Sequence, residues 1–235
     1  MPVLLSLETS TDVCSVAVHK DGALVAIAEV HIGQAHASKL ALLIKEVMTI
    51  AGTTMKDLNG VAVSAGPGSY TGLRIGTSTA KGLCYALDVP LISVGTLDIM
   101  AEHMRTVASE DALLCPMIDA RRMEVYCALY NSAAGRLGEV EARVIDEESF
   151  LEQLNAGSVV FAGNGSGKCR GVITHRNAAF LEGIFPSARY LGNIGYRKLT
   201  EGETEDLVHF EPFYLKDFKA KLPSNIIAPA VNKPA

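Results

Sequence analysis

Residues 4–18, LLSLETSTDVCSVAV, and residues 114–129, LCPMIDARRMEVYCAL, read as two copies of one pattern. In each, an apolar run ends on a carboxylate, Glu8 or Asp119, a tight turn follows, and a second β-rich run returns. The turn is shorter in the second copy. The match is weak residue by residue, but it falls where the predicted elements also repeat, so the chain is expected to be a duplicated α/β fold. Two lobes of related topology would meet near residue 108.

The elements around each copy follow from period and punctuation. Strands are predicted at 3–7, 15–19 and 24–30, the second and third joined into a hairpin by Asp21-Gly22. A helix over 36–51 stops at Gly52, which suits a left-handed cap. A strand at 60–64, a helix over 71–87, a strand at 91–94 and a helix over 95–107 complete a βββαβαβα order. The second half repeats it with strands at 112–118, 124–130 and 139–145, a helix N-capped near Asp146, a strand at 158–162 and later helical segments. The expected organisation is an N-terminal lobe over 1–107, a smaller lobe over 108–222, and a disordered tail over 223–235, where LPSNIIAPAVNKPA has three prolines and no period.

Composition narrows the function classes. The chain has 235 residues, 49% of them hydrophobic, enough for real cores. No stretch is long, apolar and uncharged enough to cross a bilayer, and no leader pattern opens the chain, so a cytoplasmic protein with no membrane partner is expected. The net charge of −5 is the wrong sign for holding nucleic acid unaided. Five scattered cysteines without a C-x-x-C spacing read as buried thiols rather than a disulfide framework or a zinc site.

The stretch SAGPGSYTGLRIGTSTAKGL (64–83) looks at first like a phosphate loop. Neither Gly66 nor Gly68 has a Gly-Lys at the Walker offset, and Thr71 stands where a dinucleotide fingerprint needs its third glycine. On the following helix Gly72, Gly76 and Ala80 recur every four residues and open a groove for close backbone approach, with Arg74, Ser78, Lys81 and Tyr85 on nearly the opposite face. Two readings stand: a buried glycine helix with a solvated face, or an interface or anion contact through Arg74 and Lys81. The helix before it carries an apolar arc that includes Leu40, Leu43, Ile44 and Val47, broader than the roughly 100° stripe that one core contact needs. It reads as a face that wants a partner, with Leu42 set apart.

Other candidates are weaker. The run AGNGSGKC (162–169) imitates a Walker loop, but alanine and cysteine replace its first glycine and its Ser/Thr, so a strand-to-helix turn is favoured. No histidine pair has helical metal-ligand spacing, and no Ser/His/Asp or Cys/His set assembles locally. Glu8 and Asp119 could face an inter-lobe cleft and hold magnesium or water, or simply cap their turns.

The runs LLSLETST (4–11), QAHASKL (34–40), DLNGVAVSAGPGSYTGLRIGTSTAKGL (57–83), VPLISVGTLDIMA (89–101) and IDARRMEVYCALY (118–130) resemble the TsaB (YeaZ) family, a likeness that thins after residue 130 to FAGNG and PFYLK. The resemblance implies a two-lobed actin-like fold of the sugar-kinase and Hsp70 ATPase group. It also implies a role as non-catalytic partner in making threonylcarbamoyladenosine at tRNA position 37, binding and activating a related TsaD-type transferase, with a TsaE-type ATPase in the wider complex, a homodimer when alone, and tRNA contacted only indirectly. The H-x-x-x-H metal pair of TsaD-like chains falls on Thr96 and Met100, which argues for no catalytic and no metal residues of its own. The family's helical interface maps onto His36, Leu40, Leu43, Ile44, Val47, Gly72, Leu73, Arg74, Gly76, Thr77 and Lys81. Glu8, Thr9, Ser10, Arg74 and Lys81 are the candidate nucleotide or anion contacts, with ATP or ADP and Mg expected only at an interface. The rival is a stand-alone ATPase, kinase or glycoprotease-like metallopeptidase of the same fold.

Overall fold

The computed structural model describes residues 1–33 and 36–216. Two five-stranded mixed sheets form, and they share one topology. In the first, β1 (Val3–Glu8), β2 (Cys14–Lys20) and β3 (Ala23–Val30) run antiparallel, while β4 (Gly60–Gly66) and β5 (Leu91–Gly95) add parallel to β1, giving the order β3-β2-β1-β4-β5. In the second, β6 (Leu113–Asp119), β7 (Glu124–Cys127) and β8 (Glu141–Val144) are antiparallel, and β9 (Val159–Ala162) and β10 (Ala178–Leu181) are parallel to β6. The order β8-β7-β6-β9-β10 is the first sheet repeated, so the duplication read from 4–18 and 114–129 holds at the level of the whole sheet.

The local chemistry accounts for the elements. Every residue of β1 is buried, as expected of a central strand covered on both faces. Asp21 and Gly22 both take positive φ and turn β2 into β3. Helix α1 (His36–Ile50) ends before Gly52 at φ 57, and α2 (Tyr70–Leu87) starts on Ser69, whose hydroxyl accepts from the Gly72 amide. Helix α3 (Thr96–Arg105) follows β5. In the second lobe, α4 is short (Leu151–Ala156), and the place of α2 is taken by a single 3-10 turn at Gly167–Cys169. The helix expected to be N-capped near Asp146 is capped four residues later, at Phe150. Asp146 instead accepts from the Ser149 hydroxyl and the Glu148 amide, a local turn that competes with helix, and Phe150 enters α4 at φ 65. All five cysteines are buried free thiols.

The helices after β5 and β10 change places. Helix α3 packs on β6 of the second sheet, and α5 (Ala188–Glu201) lies across β1 and β2 of the first. Residues 107 and 108 lie between α3 and β6, and residues beyond α5 return to the first lobe. Glu205 bridges to Leu91, Leu207 and Phe210 join the first core, and the Phe213 amide donates to the Ala65 carbonyl. The expected tail at 223–235 lies outside the described residues.

Close approach of α5 depends on glycine. The His19 ring occupies the space that a Cβ on Gly192 would fill, and a Cβ on Gly195 would come 2.9 Å from the Ala62 methyl. His19 is fully buried, its Nε2 3.1 Å from the Arg189 carbonyl, and burial lowers its pKa to about 4. Gly192→Ala should therefore lower stability by about 1–3 kcal/mol through overpacking, read as a reduced urea midpoint at unchanged m. The neutral imidazole is the form that fits, and its contribution is present above the ordinary histidine pKa and lost as pH falls through about 4.

Candidate functional site

The C-terminal ends of β1 and β6 carry the paired carboxylates, and the chain treats them differently. Glu8 has no solvent exposure. One carboxylate oxygen accepts from the Ser10 amide at 2.6 Å and the Ser10 hydroxyl at 2.5 Å, while the other is buried without a hydrogen-bond partner among the described residues. Burial outweighs these bonds and raises the pKa to about 7.

The turn after Glu8 is pressed against the start of α2. The Ser69 amide donates to the Ser10 carbonyl at 2.6 Å, and the Thr9 hydroxyl to the Gly72 carbonyl at 2.8 Å. A Cβ on Gly68 would run into the Ser10 carbonyl oxygen, one on Gly72 into the Thr9 carbonyl oxygen, and one on Gly76 into the Thr9 hydroxyl. The glycine groove is real, but the approaching backbone is the chain's own. Three amides that line this turn are already taken, by Glu8 at Ser10, by Ser10 at Ser69 and by Ser69 at Gly72. The residues present do not fit a nucleotide phosphate in this turn.

Asp119, by contrast, is exposed. Its carboxylate accepts from the Arg121 amide and pairs with Lys168, and its amide donates to the Asn164 side chain at 2.9 Å. The Walker-like run is thus a strand-to-turn segment whose lysine is engaged within the chain, since Lys168 also donates to the Glu124 carbonyl at 2.6 Å. Gly165 packs against the backbone of Ile118 and Asp119. At the β6–β7 tip, Arg121 and Arg122 both hold left-handed backbone, φ 74 and 48, at about 1 kcal/mol or more apiece for residues with a Cβ. Thr96 and Met100 are both buried, and Met100 belongs to the core between α3 and β6.

Most residues of the expected helical interface are buried within the single chain. Leu40, Ile44 and Val47 are in the first core, and His36, Gly72, Leu73, Gly76 and Thr77 are also buried within the single chain. Leu43 is half-buried against the same core. The broad arc on α1 is broad because β2, β3 and α2 all pack on it. Lys81 donates to the Val208 and Phe210 carbonyls at 3.1 Å each, holding the returning C-terminal segment rather than an anion. Of the eleven interface residues named from sequence, Arg74 is exposed, its guanidinium donating to the Tyr70 hydroxyl at 2.9 Å. The faces of α1 and α2 that reach solvent carry Leu42 at 50% exposure, Ile50 at 71% and Tyr85 at 84%, with Lys39, Lys45, Glu46 and Ser78. Leu42 and Tyr85 stand off the apolar faces in the sequence itself, whereas the exposure of Ile50 comes from the structure.

Residues 205–216 form a strap between the lobes. After Phe213 meets β4, the Tyr214 ring lies 4.9 Å from that of Tyr70 at the start of α2, and Lys216 pairs with Glu124 of β7.

Comparison with known proteins agrees with this architecture. The family model described as TsaD, tRNA N6-adenosine threonylcarbamoyltransferase, matches residues 30–223. The tRNA threonylcarbamoyladenosine biosynthesis protein TsaB of Escherichia coli (strain K12) is 32% identical over 232 residues, covering 94% of this chain and 98% of that one. A crystal structure from Pseudomonas aeruginosa, of a protein described as similar to the peptidase YeaZ, superposes with a TM-score of 0.82 at 27% identity, covering 92% of this chain and all of that one. The ethanolamine utilization protein EutJ from Carboxydothermus hydrogenoformans, at 12% identity and a TM-score of 0.50 over 83% of this chain and 91% of its own, shares the two-lobed actin-like fold alone. The chain belongs to the TsaB (YeaZ) family, inside the wider group that the TsaD family model describes.

Proposed function

We propose that the protein is a non-catalytic subunit in the synthesis of N6-threonylcarbamoyladenosine at position 37 of tRNA, binding and activating a TsaD-type threonylcarbamoyltransferase. Family membership supports the pathway. The observation that supports a partner over a catalyst is the filled first-lobe turn, where Glu8 is sealed from solvent and the amides around it are engaged by the chain itself. A catalyst of this fold needs a carboxylate that reaches its substrate and donors that reach a phosphate. Glu8 reaches neither, and Asp119 is held by Lys168.

The partner surface is the solvent side of α1 and α2, with Leu42, Ile50, Tyr85 and Arg74 as its anchors. Aromatic and arginine side chains on a charged background suit an exchangeable interface, so the same face serves a homodimer when the partner is missing. ATP or ADP with Mg belongs at the surface shared with the partner, a TsaE-type ATPase joins the wider complex, and the setting is the cytoplasm. Among the described residues no helix is long and apolar enough to span a membrane. The stand-alone metallopeptidase reading finds no support in Thr96 and Met100, which offer no imidazole, and among the described residues no three His, Cys, Asp or Glu side chains gather as a metal site.

Reconstitution tests the proposal: purified TsaD-type transferase with its other components should form the modified nucleoside only when this chain is added, and equal yield without it defeats the reading. Leu42→Asp with Tyr85→Asp should abolish co-elution with the transferase while leaving Tm within about 2 °C, because both side chains are exposed. Val47→Asp, by contrast, should unfold the chain, since Val47 is fully buried. Glu8→Gln should leave nucleoside formation intact. With the folded pKa raised to about 7, the Glu8 contribution is present below the ordinary glutamate value and lost as pH rises through 7, roughly 3 kcal/mol across that window. Denaturation at pH 5 and pH 8 should show this loss for the native chain and not for the glutamine variant.

A further inference from the structure

The β6–β7 hairpin carries a charge arrangement that the partner role leaves unexplained. Its tip is Arg121-Arg122, two consecutive residues in left-handed backbone where Asn-Gly would sit without strain. Each flanking carboxylate is neutralised by a lysine brought from far along the chain, Asp119 by Lys168 and Glu124 by Lys216. Neither arginine side chain has an ion pair or hydrogen bond among the described residues, and Asp146, Glu147 and Glu148, which follow the neighbouring strand β8, pair with neither. Four cationic side chains thus meet two carboxylates, leaving the tip at +2 on a chain of −5. Strain kept at such a position points to a role for the side chains it displays.

We infer that the Arg121-Arg122 tip contacts the phosphate backbone of the RNA substrate, an inference that rests on the function proposed above. The ligand class follows from geometry. A nucleotide polyphosphate wants a concave set of backbone amides. The tip is instead a convex hairpin end with two exposed guanidinium groups, on the lobe that does not carry the α1–α2 face, which suits phosphodiester oxygens on a surface already docked through the partner. Two phosphate contacts are too few for stable binding alone, in keeping with the acidic net charge; they add to what the partner holds.

The test uses the full chain reconstituted with its TsaD-type transferase and a fluorescein-labelled tRNA transcript, read by anisotropy across a KCl series. The variant Arg121→Asn with Arg122→Gly removes both charges and relieves the turn, so its Tm should equal or exceed that of the native chain. The complex should bind the transcript roughly tenfold or more weakly near 0.1 M salt, with the slope of log K against log salt reduced by nearly 2. Unchanged affinity and slope would overturn the inference. So would loss of co-elution with the transferase in the absence of RNA, which would make the tip a protein contact, or weakened binding of a labelled ATP analogue with tRNA affinity intact, which would make it a nucleotide contact. Failure of the native chain to stimulate modification, with the tip still governing tRNA affinity, would instead count against the proposed function alone.

Discussion

The contact on which the rest of the molecule depends is the one between the turn after β1 and the glycine face of α2. Three glycines, Gly68, Gly72 and Gly76, let the Thr9-Ser10 backbone lie where side chains would otherwise stand, and two hydrogen bonds, Ser69 to Ser10 and Thr9 to Gly72, hold it there. Thr9, Ser10, Gly72 and Gly76 are buried, so the polar groups of the contact are met largely from within the protein. That internal pairing engages the amides of the turn, closes the first lobe's phosphate position, and leaves Glu8 in surroundings where its charge is disfavoured. It also sets the rotation of α2, since the glycine side must face inward, which puts Arg74, Ser78 and Tyr85 outward.

The two sheets are then locked by exchanged helices rather than by one interface. With α3 on the second sheet and α5 on the first, separating the lobes would expose the apolar face of both helices. The strap from Glu205 to Lys216 adds a third crossing through Leu91, Ala65, Tyr70 and Glu124. An enzyme of this architecture that opens and closes around a nucleotide needs lobes that can part. Here the two exchanged helices and the strap tie the lobes together at three places.

What could be seen in the sequence was what depends on local period. Nine of the ten strands and the duplication follow from apolar runs closed by carboxylates and turns, whereas β10 (Ala178–Leu181) falls where only helical segments were expected. The register of the repeat survives even though α2 has shrunk to a single 3-10 turn in the second copy. What escaped depends on partners distant along the chain. Gly72, Gly76 and Ala80 announce that a backbone comes close, but nothing in their spacing says whether it belongs to a second molecule or to Thr9, 63 residues earlier. Likewise the α1 arc of Leu40, Ile44 and Val47 looked too wide for one contact because three elements cover it. Lys81 read as free cation for the same reason: its acceptors are carbonyls at 208 and 210. Residues 205–213 likewise take their course from the first lobe, through Leu91 and Ala65, partners more than 100 residues away in the chain.

Internal burial of the glycine side has a consequence for what α1 and α2 can offer outside. Once Leu40, Ile44, Val47, Leu73 and Thr77 are committed to the chain's own core, the solvent face keeps a few large groups, Leu42, Ile50 and Tyr85, spaced among Lys39, Lys45, Glu46 and Arg74. These apolar groups are interspersed with charged side chains. They can still anchor a docked helix pair, since a few aromatic and arginine side chains carry most of an interface's energy. A face built so is held by complementarity rather than by bulk hydrophobic area. The buried arc, by contrast, could be offered to a partner only by opening the chain's own core.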